Sequence, residues 1–331
     1  MKDTERPFVS VVTPFYNTED YLGEAIESVL AQTYPHFEYI LQNNCSTDSS
    51  REIAERYAAR DPRIRLVHTA TLVPQLRNYN QALRQISPDA RYFKMVQADD
   101  WIFPRCLEEM VAVAEANPSV GVVSSYRMVG KGVGPSGLPF SRTLMSGREV
   151  GRLNLIEDLF LFGSQTTVLV RADIVRARHP FYAEDHYFAD SDAIYEILVD
   201  HDFAFVHQVL SFSRLDSESI GGRLKSYNAL MLDRLIRLKS FGRAYLSDEE
   251  LARYLGEHEL AYRRFLAEAW LRRREPEFWE FHRKGLAAIG ESIDTSRFAR
   301  DAVAVVLHYA MSPRVVAQAL VRRAREILSG N

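Results

Sequence analysis

Asp99 and Asp100 are adjacent carboxylates that follow an apolar run, Tyr92 to Val96, after Gln97 and Ala98. Two like charges held at a strand end cost free energy unless a cation or hydrogen-bond donors relieve them. A hard divalent ion, Mg2+ or Mn2+, bridging to diphosphate oxygens would be such a cation. The alternative is structural: Asp100 stands just ahead of Pro104 and a helical pattern, where aspartate serves as an N-cap. Phe15 and Tyr16 end another apolar run and offer a nucleobase a ring face, although both rings would equally suit a core. Arg77, Asn78 and Asn80 open a helical pattern where backbone N–H groups and a guanidinium favour an anion such as a diphosphate, or where Arg77 simply meets solvent. A later acidic run holds Glu184, Asp185, Asp190 and Asp192 beside His179 and His186, which suits a general base, a metal ligand or a solvated face.

The elements that must position these groups alternate in kind between residues 8 and 125. Strands are expected at Phe8–Val12, Phe37–Leu41, Arg63–Val67, Tyr92–Val96 and Val120–Ser124. Helices are expected after Asn17-Thr18-Glu19-Asp20, around Ile53 and Tyr57, at Gln75–Ile86 and at Arg105–Ala116. Such βα repetition implies an α/β fold with a mainly parallel sheet flanked by helices, binding its ligand beyond the carboxyl ends of the strands. The stretch from Val129 to Pro139, with four glycines and two prolines, reads as a mobile loop. A helix near Asn154–Phe162, a strand at Thr167–Val170, a helix at Ala193–Leu198 and a strand at Ala204–Val209 follow. Only helical periods remain from Ser226 onward, through Leu230, Leu235 and Leu238 to Val315–Leu328. A boundary near Gly222 therefore divides a catalytic domain, 1–222, from an α-helical C-terminal region, 223–331.

The 331 residues, 47% hydrophobic and 26% charged, are those of an ordinary globular chain rather than a disordered or fibrous one. The 41 Lys and Arg against 44 Asp and Glu, a net charge of −3, argue against a nucleic-acid partner. Cys45 and Cys106 form no metal-spaced or disulfide pattern, so a reducing, cytoplasmic setting is expected. The longest apolar stretch, Ala302 to Ala310, is far below the roughly 18 residues of a membrane span. Tyr262-Arg263-Arg264-Phe265, Trp270-Leu271-Arg272-Arg273-Arg274 and Arg322-Arg323-Ala324-Arg325 combine basic and apolar side chains. Such helices suit peripheral contact with anionic lipid on the inner face of a membrane, or packing on the catalytic domain or on a second copy in a homodimer.

Four segments in order, Val9 to Asn17 with Ala25 to Pro35 behind it, Asn44-Cys45-Ser46-Thr47-Asp48, Val96 to Pro104, and Phe188-Ala189-Asp190-Ser191-Asp192, resemble family 2 glycosyltransferases of the GT-A fold. The resemblance spans roughly Phe8 to Ser213 and leaves out the helical tail. It implies a metal-dependent, inverting transfer of a sugar from a nucleotide-diphosphate sugar to a hydroxyl of a carbohydrate or glycolipid acceptor, in surface polysaccharide or glycoconjugate synthesis. It implies that Pro14, Phe15 and Tyr16 lie along the nucleotide with Asn44 and Asp99, that Asp99 and Asp100 hold the metal, and that Asp190 is the general base; Arg77 joins the nucleotide-binding set on its place at the start of a helix. Two positions depart from the family pattern. Asn43-Asn44 stand where paired acids are common, which loosens the expectation of uracil, and Gln97 replaces the first acid of an Asp-x-Asp motif. A nucleotidyltransferase would also unite an α/β sheet with paired acids, but it normally needs a glycine-rich basic phosphate loop after the first strand, which Thr13 to Asn17 lack. A non-catalytic nucleotide-sugar-binding relic of the fold is the other alternative, whereas the absence of GxGxxG dismisses a Rossmann dehydrogenase.

Overall fold

Runs of Val, Ile, Phe and Tyr between polar turns make the strands of this protein, whose computed structural model describes residues 6–135, 137–157, 159–184, 188–214 and 227–311. The chain folds as two compact units, Met1–Asp216 and Ser217–Asn331. The boundary expected near Gly222 and the helical pattern Val315–Leu328 lie outside the described residues.

In the first unit, β1 (Val9–Phe15), β2 (Phe37–Asn43), β3 (Ile64–His68) and β4 (Tyr92–Met95) alternate with α1 (Leu22–Leu30), α2 (Ser50–Ala58) and α3 (Gln75–Leu83). Next come β5 (Trp101–Ile102), α4 (Cys106–Ala116), β6 (Val120–Val129), β7 (Gly132–Gly134), β8 (Leu144–Met145), α5 (Gly147–Ile156), β9 (Leu169–Arg171), α6 (Ala172–Ala177), α7 (Ala189–Leu198) and β10 (Asp202–Ser213). They form one sheet in the order β3-β2-β1-β4-β9-β6-β10-β5, with β7 on β6 and β8 on β10. The sheet is mixed: β1 to β4 pair in parallel, as do β6 and β10, but β9 runs antiparallel between β4 and β6. Strand order reverses between β1 and β4, and the loops that leave those two strands open the crevice where α/β sheets receive ligands.

β1 is buried along its whole length, and Val9, Val11, Leu22, Ile26, Tyr39, Leu41, Leu107 and Met110 share one core. Lys94 is the exception in this apolar setting. Fully buried, it spends its ammonium on the carbonyls of Thr166 and of Val168 (3.1 Å), which ties β4 to the turn before β9.

Several elements differ from their sequence pattern for identifiable reasons. The side chains of Asn17 to Asp20 do not cap α1; Thr18 instead supplies its carbonyl to the N–H groups of Tyr21 and Leu22. The glycine-rich stretch is not all loop, because β6 runs on to Val129 and turns at Gly130, φ +57°, into β7. The helix placed near Asn154–Phe162 begins earlier, where the Ser146 side chain accepts from the Glu149 N–H. Helix α7 starts at Ala189, so Asp190 lies within its first turn rather than ahead of it.

The second unit contains α8 (Ala229–Tyr245), α9 (Asp248–Leu271), α10 (Pro276–Ala288) and α11 (Thr295–Met311). Ser247 and Glu250 form a reciprocal capping box at the start of α9, and Pro276 occupies the first turn of α10. Leu232, Leu235, Ile236, Tyr262, Leu266, Phe278 and Leu286 make its core, which encloses His282 between the Tyr262 hydroxyl (2.8 Å) and the Tyr227 carbonyl (2.9 Å). Leu230 and Trp270, which share the apolar helical pattern, are exposed. No described helix is long and apolar enough to cross a membrane.

Candidate active site

The loops after β1 and β2 are laced together by side chains. Asn17, in the left-handed region at φ +50°, donates through Nδ2 to Thr47 (3.1 Å) and accepts through Oδ1 from the Thr47 N–H (2.8 Å). Ser50 accepts from the Thr18 N–H (2.8 Å), and Asp48 from the Glu19 N–H (3.1 Å). This lacing presents Tyr16, 42% exposed, at the rim of the crevice. Phe15, by contrast, is 2% exposed and belongs to the hydrophobic core, so of the two rings only Tyr16 offers a face to a base. Pro14, next to last in β1, pairs in register with Gln42 of β2.

Asn44 is also buried, and its amide is engaged. Nδ2 donates to the Val73 carbonyl (2.8 Å) while Oδ1 accepts from the Val73 N–H (3.0 Å) and the Thr69 hydroxyl (3.3 Å). A carboxylate here could not donate to Val73; the amide serves both the N–H and the carbonyl of that residue. The side chain expected to read a base thus holds the loop between β3 and α3. Arg77 is committed as well: its Nε donates to Glu184 (2.9 Å), with Asn80 bracing the same segment through the Tyr182 backbone. That ion pair holds the Glu184 carboxyl below its ordinary range.

The turn after β4 carries the paired acids. Asp100 is 3% exposed, and its carboxylate accepts from the Ser213 hydroxyl (3.2 Å) and the Arg214 N–H (3.2 Å). Burial pushes the Asp100 pKa up to about 6, the adjacent Asp99 charge adds to the rise, and hydrogen bonds from Thr166, Ser213 and Arg214 oppose it. Arg214 caps this turn: Nε donates to the Asp99 carbonyl (3.3 Å), the guanidinium lies 4.3 Å from the Tyr21 ring centre, and Nη2 pairs with Glu24 (2.7 Å). Gln97, in the place of a third acid, donates its side-chain amide to Gln165 (3.0 Å) and its backbone N–H to Thr166 (3.1 Å).

Asp190 reaches the same crevice from α7. Its Oδ1 accepts from the Ser191 N–H (2.8 Å), in the first turn of a helix, where the backbone dipoles favour negative charge. Asp190, Tyr182, Ser164 and Gln165 border a cavity of about 20 Å³. The buried Tyr79 hydroxyl reports the convergence of the acids: its pKa is raised by burial, against a hydrogen bond from Gln97, and then by the charges of Asp99, Asp190 and Asp100 together. Tyr182 is likewise raised by burial and by Asp190. Three carboxylates drawn from two segments thus lie near enough to Tyr79 for their charges to act on its hydroxyl. Asp185 and His186 lie outside the described residues, and Glu184 is committed to Arg77.

No group of three or more His, Cys, Asp or Glu among the described residues could hold a metal by itself. Asp99 and Asp100 still fit a hard cation, since Mg2+ and Mn2+ take carboxylate oxygen and commonly complete their shell with water and substrate phosphate. A carboxylate pushed up by burial, and further by its neighbour's charge, is also a site that a cation would stabilise. The positioning residues Lys94, Thr166, Ser213 and Arg214 were not evident as such from sequence; a lysine inside the apolar run Tyr92 to Val96 was the one signal that could have disclosed the first.

The sequence profile of glycosyl transferase family 2 matches residues 10–178, just over half of the chain. Among curated relatives, TuaG of Bacillus subtilis (strain 168), named for teichuronic acid biosynthesis, is 38% identical over 95 residues, 29% of this chain and 37% of TuaG. The glycosyltransferase EpsE of the same strain is 34% identical over 184 residues, 47% of this chain and 66% of its own. The chain thus spans between about a third and two thirds of the length of these relatives. Among solved structures, Staphylococcus aureus TarS 1-349 in complex with UDP-GlcNAc shares the fold at a TM-score of 0.63 and 17% identity, covering 92% of this chain and 87% of that one. The mannosyltransferase PcManGT from Pyrobaculum calidifontis, in complex with GDP-Man and Mn2+, does so at 0.54 and 17%, covering 98% and 81%. The α/β sheet, the crevice at its strand reversal and the match over residues 10–178 together establish that the chain belongs to glycosyl transferase family 2.

Proposed function

We propose that the chain transfers a sugar, with inversion, from a nucleotide-diphosphate sugar to a hydroxyl of a carbohydrate or glycolipid acceptor. The observation that carries this reading is the paired acids Asp99 and Asp100 in the turn after β4, beside the strand reversal, with Asp190 near enough that all three charges act on Tyr79. In this reading Tyr16 stacks on the base at the rim, with Pro14 beneath the nucleotide. Asp99 and Asp100 hold Mg2+ or Mn2+, with Ser213 and the Arg214 N–H fixing the Asp100 carboxylate. When bound, the cation offsets negative charge on the donor's diphosphate. Asp190, in the first turn of α7, takes the proton of the acceptor hydroxyl as that oxygen bonds to the anomeric carbon on the face opposite the diphosphate. TarS in complex with UDP-GlcNAc and PcManGT in complex with GDP-Man and Mn2+ support a nucleotide-sugar donor and a cation here, and TuaG's name supports a surface polysaccharide acceptor. The free thiols Cys45 and Cys106 fit the cytoplasm.

Incubation with a panel of UDP-, GDP- and dTDP-sugars and Mn2+ tests the reading. Release of nucleoside diphosphate from one of them, dependent on the cation, is expected. Binding of a nucleotide sugar without any turnover, with or without candidate acceptors, would instead mark a relic of the fold.

A further inference from the structure

Arg127 sits on β6 in register with Ser211 of β10 on one side and Gly134 of β7 on the other. Ser213, two residues beyond Ser211 and on the same face of β10, donates to the Asp100 carboxylate. A strand advances about 3.3 Å per residue, so the stem of Arg127 starts within about two residues' rise of the Asp100 turn. The guanidinium is close enough to Asp100 and Asp190 for both carboxylates to favour its charge, while burial acts more strongly in the other direction and lowers its pKa. It makes no hydrogen bond or ion pair with any described residue. The Ser211 hydroxyl beside it is fully buried and equally without a partner among the described residues.

A half-buried cation without a described partner costs stability, and a folded chain retains such a group where something else arrives to satisfy it. An anion is the complement, and a guanidinium fork fits two phosphate oxygens. The charge balance of this crevice points to the donor. With Gln97 and Asn44 neutral, one divalent ion would be matched by Asp99 and Asp100, and Arg214 is already paired with Glu24, so among the described residues Arg127 is the cation near these acids that is left for the diphosphate. We propose that Arg127 receives the donor diphosphate and takes up, together with the cation, the charge that develops on it. As the acceptor oxygen bonds to the anomeric carbon and its proton passes to Asp190, the bond from that carbon to the diphosphate oxygen breaks. The electron pair stays on the oxygen that Arg127 faces. This proposal rests on the transferase reading and names the residue that carries leaving-group charge within it.

The test compares the wild-type chain with Arg127→Met and Arg127→Lys by calorimetry, using UDP, GDP, inorganic pyrophosphate and the free nucleosides, each with Mn2+. Arg127→Met is expected to weaken diphosphate and pyrophosphate binding about tenfold and leave nucleoside binding within twofold. Turnover on the preferred donor should fall by about 10²–10³, the loss typical of one preorganised donor to a developing oxyanion. Arg127→Lys should recover part of the affinity and less of the turnover, because it keeps the charge without the fork. Thermal melting of Arg127→Met at or above the wild-type temperature is expected, since an unpartnered charge has been removed. Unchanged pyrophosphate and diphosphate affinity overturns the proposal, and a rise in acceptor KM alone reassigns Arg127 to an anionic group of the acceptor. A fall of several degrees in melting temperature overturns it in favour of a structural role. If the wild-type chain itself binds none of the diphosphates, the transferase reading fails with it, an outcome distinct from equal binding by wild type and variant.

Discussion

Replacing Asp100 by asparagine removes one charge from a carboxylate pair while keeping shape, since the amide oxygen can still accept from the Arg214 N–H and the Ser213 hydroxyl can turn to accept from the amide. The wild-type carboxyl is raised from its ordinary 3.8 to about 6. A shift of about two units corresponds to roughly 3 kcal/mol by which folding disfavours the ionised form. The sign follows from the direction of the shift. A raised carboxyl contributes stability that is present below the unfolded pKa and is lost as pH rises through about 6. The stability of Asp100→Asn relative to wild type should therefore grow between pH 4 and pH 7 and level off at higher pH, with the variant ahead by about 1–3 kcal/mol. In a unit of this size that is roughly 2–10 °C in the melting transition. Thermal melts of both proteins across this pH range, without cation, provide the measurement, and the difference between them cancels the titrating groups that do not interact with Asp100. With Mn2+ and nucleoside diphosphate present, the wild type should regain the lost ground and the variant should not. A variant less stable than wild type at pH 8, or a gap independent of pH, would refute the view of Asp100 as a desolvated charge awaiting a cation.

Tyr16→Ala should weaken nucleoside diphosphate binding about tenfold, the loss of one base–aromatic stack, whereas Phe15→Leu should leave affinity intact and cost about 1–2 kcal/mol of stability in denaturant titrations. Equal loss of affinity in both variants would put Phe15 back against the nucleotide. Asn44→Asp should cost about 1–3 kcal/mol, because the Val73 carbonyl loses its donor. Unchanged stability together with a switch in the ranking of UDP, GDP and dTDP would show that the side chain reads the base instead of holding the loop.

Strand and helix periodicity disclosed β1 to β4, α1 to α4 and the helical second unit, because each buries a regular apolar face. The mixed sheet was not legible, since β9 is a three-residue strand whose antiparallel direction is set by packing between β4 and β6 and leaves no local pattern. Glycine density misrepresented residues 129–134, where the residues after the Gly130 turn pair back on β6. The acids Asp99, Asp100 and Asp190 were readable as polar interruptions at strand and helix ends. Burial was not: nothing in the chain distinguishes Phe15 from Tyr16, or tells that the amide of Asn44 is spent on Val73. Arg127 and Lys94 were missed for the same reason, since a charged residue within a strand gains meaning only when its neighbours across the sheet are known.

Base-assisted transfer from a bound nucleotide sugar in this crevice stands or falls with Asp190→Asn. Donor affinity by calorimetry and the rate of nucleoside diphosphate release, both with Mn2+ and the preferred donor, are measured on the variant and the wild type. General base catalysis is typically worth about 10²–10⁴-fold, so turnover should fall by that order while the donor dissociation constant stays within about twofold. Near-normal turnover in Asp190→Asn, or a loss of donor binding that accounts for the whole fall in rate, would rule out Asp190 as the base.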